Sequence, residues 1–427
     1  MSSLPDRPIV RPLETQWAEQ NGQPVLVLRD PLGLSDRVAV VRAPVAVLLS
    51  LCDGTRDADQ LRIALELRAG ISLSTSRIKA LLAELDEAML FEGERVEQAK
   101  RRATERYLAL DFRIPALAGE TYPADAEACR EALAGYAARA APASERRRSA
   151  GTVVGVISPH IDYQRGGPVY HRVWEAAAVA ARAAELVIVL GTDHHGSSGR
   201  ITPTRQRYAT PFGALPLAED VVEELASALG PDYAFGEELH HVNEHSIELA
   251  AVWLHSHLDG RLPEVVPVLC GSFHEYVSGQ KHPRCDSRLQ AAINVLRSAA
   301  KRRRTLVVAA ADLAHVGPAF GDGSAVDAAG LSEVARADAD ALAAACSGDA
   351  DAFLAAIKHH EDRFRVCGLP PIYLALRLLD GAQGEVLDYR ACPADGANAS
   401  WVTIAGVVLK QTESSASGNG PGGAVSR

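Results

Sequence analysis

A chain of 427 residues, 47% hydrophobic and 23% charged, has the mix of a globular protein long enough for two domains. Its net charge of −10 argues against broad binding to nucleic acid or to acidic membrane surfaces. Seven scattered cysteines without a CxxC pair speak against a disulfide framework or a zinc ribbon. With no apolar signal core after Met1 and no run of about 20 apolar residues, they make a cytoplasmic protein without a membrane span the expectation.

Residues 1–105 read as a separate block. Short strands are expected at Pro24–Leu28 and Val38–Val41, and a helix through Val45, Leu48, Leu49 and Leu51. Cys52-Asp53-Gly54-Thr55 reads as a turn, and a second helix carries Leu61, Ile63, Leu65 and Leu67. Ser74 can cap a third helix, with Ile78, Leu81, Leu82, Leu85 and Met89 on one face. Leu90–Glu94 can then start a small β-wing, which makes the block a winged-helix-like α+β domain. The turn after Leu48-Leu49-Ser50-Leu51 and the later Leu82–Ala88 stretch resemble the PqqD-type peptide-binding fold. The third helix offers Arg77 and Lys79 against Glu84, Asp86 and Glu87, which favours a peptide or protein partner over DNA.

Lys100–Arg106 is a charged, helical connector. From 106 to 412 strand-like runs alternate with Ala-rich helices at Glu175–Ala184, Ala218–Leu229, Leu289–Ala300 and Leu331–Ala345. That rhythm predicts an α/β domain with a mainly parallel sheet and helices on both faces. Residues 413–427, rich in Ser and Gly, are expected to be disordered. The basic runs Arg146–Arg148 and Lys301–Arg304 read as solvated charge ahead of strands rather than as anion sites.

Four of the strand-like runs end in loops bearing histidine or cysteine. Val153–Ile157 leads into Ser158-Pro159-His160, and Leu186–Leu190 into Gly191-Thr192-Asp193-His194-His195. Val265–Cys270 leads into Gly271–His274, and Leu306–Ala310 into Ala311-Asp312-Leu313-Ala314-His315. Parallel sheets place their sites at such carboxyl ends. His171, His255, His257, His282, His359 and His360 have no such setting and read as packing or surface residues. Two imidazoles and a carboxylate suit non-haem Fe(II), and equally a catalytic zinc. His160, His194 and Asp312 could supply them, with His315 three residues on. His245 is left as a general acid or base, with His195 a support for His194. Glu244 and Glu248 flank His245 at i,i+4 spacing. Asp162 and Asp193 could fix imidazole tautomers.

These segments also carry a family resemblance. Ala118-Gly119-Glu120-Thr121-Tyr122-Pro123 is similar to the opening signature of the Memo family, also called AmmeMemoRadiSam system protein B. Pro159-His160-Ile161-Asp162-Tyr163, Gly191–His195, Thr210-Pro211-Phe212-Gly213, Glu244–Glu248, Asp312–His315 and Val366-Cys367-Gly368 resemble its later motifs, in order. The resemblance implies a fold shared with class III (LigB-type) extradiol dioxygenases. It implies His160 and His194 as metal ligands and His245 at the acid/base position, with His195 and Glu244 as further catalytic candidates. Ala314 stands where some members carry a cysteine, which leaves Asp312 or His315 as the third ligand. The implied cofactor is a divalent metal, Fe(II) favoured, with copper or zinc as alternatives. The function read from this is a metal-dependent oxidoreductase of the dioxygenase type. The alternative is a non-catalytic member of a modification system, partnered by AMMECR1-like and radical-SAM proteins. A zinc hydrolase is disfavoured because no HExxH motif is present.

Overall fold

The computed structural model describes residues 5–35, 38–140 and 151–411. Arg146–Arg148 and the tail 413–427 lie outside the described residues. The chain divides into two compact units, Met1–Ala116 with Gly236–Glu244, and Leu117–Phe235 with His245–Arg427.

The first unit opens with a three-stranded antiparallel sheet of β1 (Glu14–Gln20), β2 (Gln23–Arg29) and β3 (Ala39–Arg42), in that order. Four helices follow: α1 (Ala43–Leu51), α2 (Ala58–Ala69), α3 (Thr75–Glu87) and α4 (Glu94–Leu108). Local chemistry sets their ends. Asp57 and Gln60 form a reciprocal capping box on α2, and Gly70 closes it in the left-handed conformation at φ 67°. Ser74 caps α3 by accepting from the Arg77 N–H. Leu28, Leu48, Leu61, Leu65, Ile78 and Leu82 form the unit's core. The wing expected at Leu90–Glu94 is not formed. Phe91 makes a single bridge to Val10, and Glu94 already starts α4, with Glu94 and Glu97 favourably placed in its first turn.

The second unit contains, in chain order, α5 (Ala126–Gly135), β4 (Thr152–Ser158), α6 (Tyr163–Ala183), β5 (Leu186–Thr192), β6 (Ile201–Pro203), β7 (Ala209–Thr210), β8 (Gly213–Ala214), α7 (Glu219–Leu229) and α8 (Pro231–Phe235). The short α9 (His240–Asn243) clusters with the first unit. Then come α10 (Ser246–Ser256), β9 (Glu264–Cys270), α11 (His274–Val277), α12 (Ser287–Arg302), β10 (Thr305–Ala310), β11 (His315–Val316), α13 (Ala328–Cys346), α14 (Ala350–His359), α15 (Leu369–Leu378), β12 (Gln383–Pro393) and β13 (Trp401–Gln411).

The sheet order is β11-β13-β4-β10-β5-β9-β6, with β12 beyond β13. Its centre, β4-β10-β5-β9, is parallel and consists of the four runs that end in histidine or cysteine loops. Antiparallel strands extend it on both sides. Alternate residues face two separate cores. Val187, Val189, Leu306 and Val308 pack with α6 and α10, whereas Leu186, Ile188, Val307 and Ala309 pack with α7, α12 and α15. Strands covered on both faces explain the unbroken apolar runs.

Helix α6 starts twelve residues earlier than its Ala-rich part predicts. Gly166, Gly167 and Pro168 mask that first half. A Cβ on Gly167 would lie 2.3 Å from the Tyr136 ring, so the glycine permits close packing. Pro168 cannot donate to the Gln164 carbonyl, and Arg139 Nη2 does so instead at 3.1 Å. The Lys301–Arg304 run is matched by surface acids: Arg302 pairs with Glu224, Arg303 with Asp220 and Glu264, and Arg304 with Glu185. Among the described residues no helix is long and apolar enough to cross a membrane.

Asp338 on α13 is buried, and its carboxylate accepts from Tyr389 Oη at 2.8 Å. Burial pushes its carboxyl up to about 6 against the pull of its hydrogen bonds. A folded-state value above the unfolded one means a contribution that is full below about pH 4 and lost as pH rises through 6. Asp338→Asn is therefore expected to leave stability nearly unchanged at pH 4 and to raise it at pH 8 by about 2 kcal/mol. Urea unfolding at the two pH values checks this.

Candidate metal centre

His160 leaves the end of β4 behind Pro159 and is buried. Its N–H donates to Asp312 Oδ1 at 2.8 Å, and the Ile161 N–H donates to the same oxygen at 3.3 Å. Its ring Nδ1 stands 3.0 Å from the Ala310 carbonyl. A carbonyl can only accept, so Nδ1 carries a proton and Nε2 faces the opposite way. There Nε2 meets Cys367 Sγ at 3.2 Å.

His194 follows β5. Its ring centroid lies 5.1 Å from that of His160 and 4.9 Å from that of His245, on which it stacks at 12°. His245 meets His160 edge-on at 5.4 Å. Thr192, the last residue of β5, ties the elements together. Its hydroxyl donates to the Cys367 carbonyl at 3.0 Å, and its own carbonyl accepts from Ser246 Oγ at 2.8 Å. Gly191 allows this approach, because a Cβ there would lie 2.5 Å from Ile247 and 2.6 Å from Ser246 Oγ. His160, His194 and Cys367 each offer one donor atom, and the three atoms lie within 4.8 Å of one another.

The electrostatics match the geometry. Burial raises the Cys367 thiol, but His160 and His315 beside it, with hydrogen bonds to His160 and His194, hold it well below the ordinary thiol range. Burial lowers His160, yet Asp312 and Cys367 bring it up to about 9. Each of the pair favours the other's charge, and the thiolate is the form of cysteine that binds metal.

The other expected residues fall as follows. Asp312 uses Oδ1 on the backbone of His160 and Ile161, and its Oδ2 stays 3.8 Å from His160 Nε2. It anchors the ligand loop from outside the three-donor group. His315 turns Nδ1 to the Leu313 carbonyl at 3.1 Å and packs on Phe320, also outside that group. The His195 N–H donates to Asp193 Oδ1 at 3.1 Å, so Asp193 holds the turn between the two histidines. Glu244 belongs to the first unit, where its carbonyl accepts from the buried Arg113 Nη2 at 2.9 Å. Asp162 caps α6 and pairs with Arg165 at 2.5 Å instead of orienting His160. Of the six lone histidines, His255 is buried against Phe212 and its Nδ1 bonds Thr210 Oγ1 at 2.8 Å.

Cys367 is the residue that strand-end reasoning missed. It sits on the loop between α14 and α15, after three left-handed non-glycine residues: Glu361 (φ 53°), Asp362 (φ 51°) and Arg365 (φ 52°). Each costs on the order of 1 kcal/mol or more. Gly368, which follows, has an ordinary φ of −74°. It is needed for space, because a Cβ would lie 2.3 Å from the Asp312 carbonyl oxygen and 2.7 Å from Ala311 Cβ. Gly368→Ala is expected to destabilise the second unit by about 2–3 kcal/mol, read as a shift of the denaturant midpoint.

A family model described as Memo-like protein matches residues 113–408. The chain is also similar to a MEMO1 family protein of Aquifex aeolicus, 27% identical over 305 residues, which are 70% of this chain and 74% of the relative. A MEMO1 family protein of Methanopyrus kandleri is 29% identical over 211 residues, covering 48% and 70% of the two chains. One of Thermus thermophilus is 28% identical over 258 residues, covering 60% and 70%. Because the matched span takes in most of the chain and His160, His194 and Cys367 alike, this chain belongs to the Memo family.

Proposed function

We propose that His160, His194 and Cys367 hold one transition-metal ion, and that the protein is a metal-dependent oxidoreductase related to the extradiol dioxygenases. The observation that carries this is the convergence of a cysteine sulfur and two imidazoles, from three separate loops, within 4.8 Å. The donor set fits such an ion. Soft sulfur with two nitrogens suits iron, copper or zinc and not magnesium or calcium. The thiolate, where extradiol enzymes have a carboxylate, makes copper as good a candidate as Fe(II). When bound, the ion would act as a Lewis acid and, as iron or copper, as an electron carrier.

The remaining work falls to this chain's own groups. Ala310 fixes the His160 tautomer, Asp312 holds its backbone, and Thr192 joins the β5 end to the Cys367 loop. His245, stacked on His194, would hold or move a proton on a substrate atom beside the ion. Anaerobic purification and metal analysis test the reading. Close to one equivalent of iron or copper is expected, falling several-fold in His160→Ala and His194→Ala, with oxygen uptake on catechol-type substrates. Equal, negligible metal in all three proteins would remove the proposal.

A second reading rests on the first unit, whose exposed Trp17, Ile63 and Leu67 are apolar surface of the kind partners cover. It makes that unit a PqqD-like peptide-docking module, and AMMECR1-like and radical-SAM proteins the partners. Ile63→Glu with Leu67→Glu should then abolish co-purification of those partners with the full chain. Unchanged co-purification counts against it.

A further inference from the structure

The stretch His360–Val366 precedes Cys367 and is built against backbone preference. Three of its residues, none of them glycine, adopt φ near 50°, a region that side chains enter only when their surroundings impose it. The tethers are visible. Asp362 Oδ1 accepts from the Val366 N–H at 2.8 Å. The Arg365 N–H donates to the Asp362 carbonyl at 2.8 Å. Arg365 Nε donates to the His315 carbonyl at 3.1 Å, and its Nη2 pairs with Asp322 at 2.6 Å. The His315 N–H donates in turn to the Phe364 carbonyl at 2.7 Å.

Cys367 itself is held on its other side. Its carbonyl accepts from Thr192 Oγ1 at 3.0 Å, and the Gly368 N–H donates to the Asp312 carbonyl at 3.0 Å. The backbone on both sides of the sulfur is thus fixed, and the Asp312 carbonyl that holds Gly368 also lies 3.9 Å from Cys367 Sγ. Burial also pushes the Asp362 carboxyl up to about 6, a cost that a solvated turn avoids.

We infer that Asp362, with Arg365, is a positioning residue: the strained segment is a clasp that sets Cys367 Sγ against His160 Nε2 before any ion arrives. The inference rests on the metal reading above and adds how its third ligand is pre-organised. A donor held in place loses less freedom on binding, and groups behind the ligands typically change metal affinity 10–100-fold.

The test compares the full-length wild type with Asp362→Ala, Asp362→Asn and Glu361→Gly. Asparagine keeps an acceptor and tolerates the left-handed region, and Glu361→Gly relieves strain without touching a tether. In the metal-free proteins, hydrogen exchange across residues 361–367 should accelerate at least tenfold in Asp362→Ala, with Asp362→Asn and Glu361→Gly close to wild type. With Co(II) as probe, Asp362→Ala should bind 10–100-fold more weakly and lose intensity in the thiolate-to-cobalt charge-transfer band. Asp362→Asn should restore both, and Glu361→Gly should stay within twofold. Unchanged exchange in Asp362→Ala overturns the clasp. Faster exchange with unchanged cobalt affinity and band overturns the positioning role. A wild type that takes up no cobalt sinks the metal reading instead, and the clasp is then judged on exchange alone.

Discussion

Cys367→Ser is expected to weaken binding of iron, copper or cobalt by at least about a hundredfold, because one of three protein donors is lost and metal sites gain several kcal/mol per donor. The same exchange should leave thermal stability of the metal-free protein within about 1 kcal/mol, since serine is nearly isosteric and its hydroxyl can still face His160 Nε2. Competition with a chromophoric chelator measures the first quantity and thermal unfolding the second. A Cys367→Ser protein with wild-type affinity would move the third ligand elsewhere. Asp312, 3.8 Å from His160 Nε2, would then be the next residue to replace.

The largest stability effect is expected at Glu248. This carboxylate is fully buried on α10. Its Oε1 accepts from Tyr122 Oη at 2.5 Å and from the Leu117 N–H at 2.9 Å. Glu248→Ala leaves a buried hydroxyl and a part-buried amide without this acceptor and opens a cavity. Together these should lower unfolding free energy by about 3–5 kcal/mol. Glu248→Gln keeps an oxygen in place and should lose about 1–2 kcal/mol. Calorimetry on both variants decides the point. A loss below about 1 kcal/mol in the alanine variant would mean that water replaces the carboxylate. Because α10 begins directly after His245, the alanine variant should also loosen the acid/base candidate.

The central sheet was legible because β4, β5, β9 and β10 are apolar on both faces and end in polar loops. Two strand-end histidines, His160 and His194, could be read from the same pattern. Helix α6 was legible only in its second half, since Gly166-Gly167-Pro168 reads as a break and its compensation by Arg139 is a tertiary contact. The wing failed at Glu94, whose acidic side chain suits a helix start. Cys367 gave no periodic signal at all. Its loop follows a helix and not a strand, and what selects it is the left-handed backbone and the tethers of Asp362 and Arg365. Asp312 was legible as part of the site, but its side chain serves the His160 backbone, a distinction spacing cannot make.

Strand β4 pairs on one side with β10 and on the other with β13, where Val156 meets Val408. During synthesis the whole parallel centre can therefore assemble while one margin of β4 is still bare, waiting for a partner not yet made. An unpaired apolar strand margin is a template for wrong association. A ribosome-bound chain halted between β10 and β13 should depend on chaperones for its solubility. Halted before Cys367 it would also lack one of the three grouped donors, so the proposed metal site would be complete only late in synthesis.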